Sequence, residues 1–149
     1  MPSKVIVLYD ADCGFCRWAM AWAVRHDHQH ALVAAPIQSP LGAALLADVP
    51  ASERLREAHV IHDGHSRRSG GAAAADVLST LPATRALGRL GHRLPHTTAL
   101  LYRVLAARRA SFGRLVGREA RRRADDLLRA SRLTTPAELE ASTRQPSQA

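Results

Sequence analysis

The two cysteines of the chain, Cys13 and Cys16, follow directly after the apolar run 5–9. A short apolar and β-branched run is typical of a buried strand, and the residues after Cys13 have apolar side chains at helical spacing. This pattern predicts a strand, a turn and a helix from Gly14 to about Asp27, with Cys13 at the helix N-terminus. A helix N-terminus favours a thiolate, and a thiol one turn later can attack a mixed disulfide formed on the first. We therefore interpret the pair as a redox dithiol.

Length and composition indicate a single domain. The chain has 149 residues, which is enough to bury a core without disulfide or metal staples. No apolar stretch approaches the roughly 20 residues that span a bilayer, and the first dozen residues resemble neither a secretory nor a transit signal. We therefore expect a cytoplasmic protein without a membrane span. In that compartment a lone cysteine pair is more often catalytic or metal-binding than structural.

Caps, prolines and turn residues predict the later elements. A second apolar run, 31–35, follows the first helix, and two strands joined by a helix are expected to lie parallel. The remaining predicted elements are a short helix from Ser39-Pro40, strands at 58–62 and 66–68 joined by an Asp63-Gly64 turn, a helix from Ser69 to about Leu81, and helices near 83–91, 97–109 and 113–131. The order β-α-β, α, β-β-α is that of a thioredoxin-like core. We expect an α/β fold with additional C-terminal helices.

Three regions are expected along the chain. Residues 1–113 should form the thioredoxin-like domain, and residues 114–133 a basic helical extension. Residues 134–149 contain proline, serine and glutamine and should form a loose tail.

The string Tyr9-Asp10-Ala11-Asp12-Cys13-Gly14-Phe15-Cys16 resembles the signature of the DCC family of thiol-disulfide oxidoreductases, which is named for Asp-x-x-Cys-x-x-Cys. Looser matches lie at residues 36–42, 62–64 and 69–72, and at Tyr102-Arg103 with Phe112-Gly113. The resemblance implies a thioredoxin-like fold with Asp10, Cys13 and Cys16 as signature residues. Thioredoxins place a cis-proline before the third strand, facing the dithiol, whereas Glu57-Ala58 occupies that place here. The substrate-binding edge is therefore expected to be built differently.

The site hypothesis assigns a role to each residue of the signature. Cys13 attacks, Cys16 resolves, and Asp10 or Asp12 accepts a proton or orients the thiols. Nearby carboxylates disfavour a second negative charge, and Arg17 offsets part of that effect. The expected substrate contacts are Gly14 and Phe15 between the cysteines, and Gln38 and Ser39 at the same end of the sheet, although a helix cap also accounts for Ser39. No organic cofactor and no metal are expected, and the partner is a disulfide- or thiol-containing substrate.

A binding module is the alternative from a different functional class. The net charge is +8, from 21 basic and 13 acidic residues. The excess is concentrated between Arg103 and Arg132, in Arg108, Arg109, Arg114, Arg118, Arg121, Arg122, Arg123 and Arg129. Such helices can contact nucleic acid or an acidic partner, although a basic run is more often a solvated face.

Two further alternatives use the same N-terminal motif. Asp10-Ala11-Asp12 after a strand is similar to the first motif of haloacid-dehalogenase-type phosphatases, but the expected basic residue and distal carboxylates are not evident. A tetrahedral zinc site would need two histidines beside the cysteines, from His26, His28, His30, His59, His62 and His65. No second close pair has the usual zinc-finger spacing.

Overall fold

The computed structural model describes residues 4–62 and 66–144. In chain order its elements are β1 (Val5–Tyr9), α1 (Gly14–His26), β2 (Leu32–Pro36), α2 (Pro40–Leu45), α3 (Ala51–Arg54), β3 (His59–His62), β4 (Ser66–Ser69), α4 (Gly70–Thr80), a 3-10 turn (Pro82–Thr84), α5 (Arg85–Arg93), α6 (Pro95–Leu115), α7 (Arg118–Ser131) and α8 (Pro136–Arg144).

The four strands form one sheet in the order β2-β1-β3-β4. β1 pairs in parallel with β2, as the connecting helix predicts, and antiparallel with β3, which pairs antiparallel with β4. The predicted turn between β3 and β4, Asp63-Gly64, lies outside the described residues. This mixed α/β arrangement, with a β-α-β unit followed by a β-β-α unit, is the expected thioredoxin-like fold.

The alternate residues of β1 face two separate cores. Val5, Val7 and Tyr9 pack against α1, α4 and α7, whose buried residues belong to the same cluster. Ile6 and Leu8 pack on the opposite face, with α2 and the segment that follows α7. Because both faces are covered, β1 is apolar throughout instead of alternating.

The C-terminal helices differ from their predicted bounds. α6 begins at Pro95, where a first-turn proline fits because its missing N–H would have no helical partner. α6 and α7 are separated at Val116-Gly117. Arg121 of α7 donates from Nε to the Val116 carbonyl at 2.9 Å and from Nη2 to the Gly113 carbonyl, and so satisfies carbonyls at the end of α6.

The segment expected to be a loose tail contains helix α8. Thr135 Oγ1 accepts a hydrogen bond from the Glu138 backbone N–H at 3.3 Å, and the Glu138 carboxylate accepts from the backbone N–H groups of Thr134 and Thr135 at 2.7 and 2.9 Å. These hydrogen bonds lower the pKa of Glu138 below its usual value, and the bond from the Thr134 backbone N–H has the largest effect. A Thr-x-x-Glu capping box favours the start of a helix. Its effect here is stronger than that of the proline, serine and glutamine content from which a loose tail was expected.

No helix in the described part of the chain combines the length and apolar character that a membrane crossing requires.

Candidate active site

Cys13 occupies the junction between β1 and α1, where it is the N-cap residue of the helix. Its backbone is extended, with φ −85° and ψ 113°, and its Sγ accepts a hydrogen bond from the Cys16 backbone N–H at 3.3 Å. The sulfur thus takes the position that a serine or aspartate oxygen usually fills at an N-cap. Both cysteines are free thiols and are half-buried. The N–H donor and the helix dipole both stabilise negative charge on Cys13 Sγ.

Cys16 lies one turn into α1 and has different surroundings. The pKa of its thiol is raised from 9.0 to about 12, mainly by burial and also by the neighbouring Cys13 sulfur. The Arg109 guanidinium acts in the opposite direction, and the Asp10 carboxylate adds to the increase. Cys16 therefore keeps its proton at neutral pH.

Gln38 holds the loop that carries both aspartates. Its Oε1 accepts from the Ala11 backbone N–H at 3.1 Å, and its Nε2 donates to Asp10 Oδ1 at 2.7 Å and to Asp12 Oδ2 at 3.3 Å. Asp10 Oδ1 also accepts from the Asp12 backbone N–H at 3.0 Å. The end of β2 thus supplies an amide that fixes the turn before Cys13, so Gln38 lies beside the motif as expected.

Ser39 lies on the same segment but is directed away from the motif. Its hydroxyl donates to the Pro36 carbonyl at 2.7 Å and accepts from the Gly42 backbone N–H at 3.1 Å, and the residue is buried. The structure therefore places Ser39 as the cap of α2.

The two residues between the cysteines, Gly14 and Phe15, lie against the end of α6. The Phe15 ring lies 5.8 Å from that of Phe112 and 6.0 Å from that of Trp18, centroid to centroid. Gly14 lies against Gly113, because a Cβ at Gly14 would be 3.9 Å from the Gly113 carbonyl oxygen. The end of α6 therefore covers the first turn of α1.

Two α6 residues that sequence reasoning did not assign to the site also reach it. Arg109 donates from Nη1 to the Leu55 carbonyl at 3.0 Å, and the same nitrogen lies 3.9 Å from Asp10 Oδ2. The Tyr102 hydroxyl accepts from the Ala58 backbone N–H at 2.7 Å, and burial raises its pKa. Tyr102 thereby anchors the Glu57-Ala58 segment. The only sequence signal for Tyr102 was the looser match at Tyr102-Arg103.

The cysteines face two different cavities. Cys16 lines a groove of about 290 Å³ whose other walls are mainly apolar, here called the apolar groove; its walls include Phe15, Ala19, Val77, Leu78 and Tyr102. Cys13 lines a cleft of about 340 Å³, here called the arginine cleft, whose charged walls are Asp12, Arg17, Arg109, Arg114 and Arg121. Arg109 lies between the cavities and lines both.

Two of the histidines considered for zinc, His59 and His62, make other contacts. His59 bonds Ser69 Oγ at 2.7 Å and the Arg54 carbonyl at 3.0 Å, and His62 Nε2 lies 2.9 Å from Asp76 Oδ2. Within residues 4–62 and 66–144, no three His, Cys, Asp or Glu side chains are grouped so as to hold a metal ion. His65 lies outside those residues.

A comparison with protein-family models places residues 7–115 in a family described as DCC1-like thiol-disulfide oxidoreductase. The matched region extends from β1 to the end of α6 and includes the aspartates, both cysteines, Gln38, Tyr102 and Arg109. No match was found among curated proteins or among solved structures. Because the match covers most of the chain, the protein belongs to the DCC1-like thiol-disulfide oxidoreductase family.

Proposed function

We propose that the protein catalyses thiol-disulfide exchange with Cys13 as the attacking thiol and Cys16 as the resolving thiol. The observation that carries this assignment is the difference between the two sulfurs. Cys13 Sγ accepts an N–H bond at a helix N-terminus and faces a polar cleft. Cys16 lies in the apolar groove, and its pKa is raised to about 12. An attacking thiol needs thiolate character and access, which favours Cys13.

The reaction balances without an organic cofactor. The Cys13 thiolate attacks one sulfur of the substrate disulfide, the substrate S–S bond breaks, and one substrate thiolate leaves. Cys16 then attacks Cys13 Sγ, which forms the Cys13–Cys16 disulfide and releases the second substrate thiolate. The dithiol loses two electrons and the substrate gains them. Both thiol protons pass to the products, and an external thiol restores the dithiol.

The second step requires a base because Cys16 is protonated at neutral pH. Asp10 is the candidate, since its carboxylate lines the apolar groove with Cys16 and acts electrostatically on that thiol. Gln38 and the Asp12 backbone N–H hold Asp10 Oδ1, while Oδ2 lies on the side of Arg109. Asp10 accepts the Cys16 proton as the sulfur attacks, and Gln38 positions Asp10 for that transfer.

Two single-cysteine variants and a redox titration test the proposal. With 2-hydroxyethyl disulfide as oxidant, Cys16→Ser should accumulate one mixed disulfide on Cys13, whereas Cys13→Ser should react far more slowly. In thiol buffers the wild-type protein should show a two-electron transition between about −270 and −120 mV, the range of related dithiols. The proposal fails if no intramolecular disulfide forms at any potential, or if Cys13→Ser retains wild-type turnover.

A further inference from the structure

The arginine cleft brings together guanidinium groups from three helices. Arg17 comes from α1, Arg109 and Arg114 from α6, and Arg121 from α7, while Cys13 and Asp12 lie in the same wall. Like charges repel, so the cluster is unfavourable unless negative groups offset it. The α1 N-terminus at Cys13 adds a further partial positive charge.

The protein's own carboxylates offset only part of this charge. Arg17 Nε pairs with Asp125 Oδ1 at 3.1 Å, and Arg109 has a longer contact with Asp10. Asp12 adds one carboxylate to the cleft wall, where its Oδ2 accepts from Gln38 Nε2 at 3.3 Å. Arg121 donates to the backbone carbonyls of Gly113 and Val116, which carry no formal charge. Among the described residues, the Arg114 side chain has no hydrogen bond or ion pair. Two positive charges thus face the cleft without a carboxylate partner.

We propose that the arginine cleft binds the carboxylates of a small anionic disulfide, so that Cys13 attacks negatively charged low-molecular-weight disulfides in preference to neutral or cationic ones. This inference rests on the proposed function and names its substrate class. Guanidinium groups recognise carboxylates by paired, charge-assisted hydrogen bonds. The cleft volume of about 340 Å³ lies within the range of small-molecule sites. Cys13 lies in the wall of the cleft, so a carboxylate held by Arg114 or Arg121 brings the substrate to that sulfur.

The test compares three disulfides that have the same backbone but different charges. They are 3,3′-dithiodipropionate, a dianion; 2-hydroxyethyl disulfide, which is neutral; and cystamine, a dication. The rate of mixed-disulfide formation is measured in the Cys16→Ser protein, where only the attack by Cys13 is observed. Each rate is divided by the rate of the same disulfide with free 2-mercaptoethanol, because the three disulfides differ in intrinsic reactivity.

The normalised rate should be highest for the dianion and lowest for the dication, with a difference of at least about tenfold at low salt. The preference should decline as salt rises. Suberate, which has the length of 3,3′-dithiodipropionate but no sulfur, should inhibit attack on the dianion. If poly-L-glutamate inhibits and suberate does not, the arginines serve an extended acidic partner, and the inference is wrong.

The test variant changes Arg114, and the matched control changes Arg108. Both are exposed α6 arginines, but Arg108 does not line the cleft. Arg114→Glu in the Cys16→Ser protein should reduce the ratio of the dianion rate to the 2-hydroxyethyl disulfide rate at least about fivefold. Arg108→Glu should leave that ratio unchanged.

The outcomes separate this inference from the proposed function. Equal normalised rates for the three disulfides, or equal effects of the Arg108 and Arg114 variants, would overturn the inference and leave the exchange chemistry intact. If Cys13 reacts with none of the disulfides, the proposed function itself fails.

Discussion

Cys13 and Cys16 are one helical turn apart, yet they contact different parts of the protein. Cys13 Sγ replaces a capping oxygen and faces arginines, whereas the Cys16 thiol faces apolar side chains. Low dielectric disfavours a thiolate, while hydrogen bonds and positive charge favour it. At this scale the surroundings of each sulfur support the proposed order, in which Cys13 attacks and Cys16 resolves.

The first residue-scale prediction concerns the pH dependence of Cys16. In Cys13→Ser the contribution of Cys13 to the pKa of Cys16 is lost, but burial, the largest cause, stays. Alkylation of Cys16 by iodoacetamide should therefore be slow at pH 8 and should rise with a midpoint above pH 9. In urea the midpoint should fall to the ordinary value of about 9. Equal midpoints in the folded and unfolded protein would contradict the assignment.

The same pKa shift links to stability. Because the pKa of Cys16 is higher in the folded protein than the ordinary 9.0, its contribution to the free energy of unfolding is fully present below about pH 9. That contribution should be lost as the pH rises from 9 toward 12.

The second residue-scale prediction concerns Asp10. Asp10→Asn keeps an oxygen that can accept from Gln38 and the Asp12 backbone N–H, but it removes the carboxylate charge. Resolution by Cys16 should slow by about tenfold or more, since general bases commonly contribute that much or more. Rapid quenching and mass analysis should then show accumulated Cys13 mixed disulfide. Asp12→Asn is the control, and an equal slowing there would argue against Asp10 as the base.

Helix α2 packs closely against the segment that leads to Gln38. Gly42 in its first turn lies so close to β2 that a Cβ there would be 2.4 Å from the Pro36 carbonyl oxygen and 2.5 Å from that of Ile37. Neither backbone oxygen can move without displacing Gln38, which follows directly. The packing of one small helix thus fixes the amide that holds Asp10.

The element-scale prediction is that Gly42→Ala destabilises the protein by about 1–3 kcal/mol, as overpacking usually does. It should also slow resolution by Cys16, because Gln38 and Asp10 shift together. Urea unfolding and the mixed-disulfide assay measure the two effects. Gly117→Ala is the matched control, since no atom of the described residues, apart from its two chain neighbours, lies within 4 Å of a Cβ at that position. Similar losses of stability in both variants would contradict the packing argument.

Across the whole molecule, the C-terminal part of the chain completes both cores. α7 contributes Ala124 and Leu128 to the core on the α1 face. The segment after it returns to the free edge of β2, where the Leu133 N–H donates to the Ala34 carbonyl at 2.9 Å. Leu133 and Leu139 then pack against the opposite core. Residues outside the family match therefore take part in the same packing as β1.

At this scale we predict that Leu139→Ala lowers the free energy of unfolding by about 1–2 kcal/mol. The expected loss is smaller than for the same change at a fully buried leucine, because the Leu139 side chain is only partly buried. Leu115→Ala is the control; its side chain is 79% exposed, and its change should stay within about 0.5 kcal/mol. Chemical denaturation of both variants provides the comparison. If Leu139→Ala has no effect, α8 does not stabilise the sheet.

Sequence alone determined the features that depend on neighbouring residues. The apolar run, the cysteine spacing and the cap residues led to β1, α1, the parallel β2 and the position of Cys13, because strand periodicity and helix capping act within a few residues. The Thr135–Glu138 capping box is an equally local signal for α8, whereas the proline, serine and glutamine of the tail favour a loose segment. The looser family matches at Tyr102-Arg103 and Phe112-Gly113 fall in α6, but they do not indicate that α6 covers the first turn of α1.

Tertiary structure decided how the dithiol is enclosed. Arg109, Arg114 and Arg121 belong to a basic run about a hundred residues after Cys13, and in sequence such a run cannot be distinguished from a solvated face. The close approach of Gly113 to the first turn of α1 places these arginines beside Cys13, and the packing of Tyr102 beside Ala58 helps to enclose Cys16. Charge and burial at a thiol depend on distances in space, and helix packing, which is not encoded locally, sets those distances.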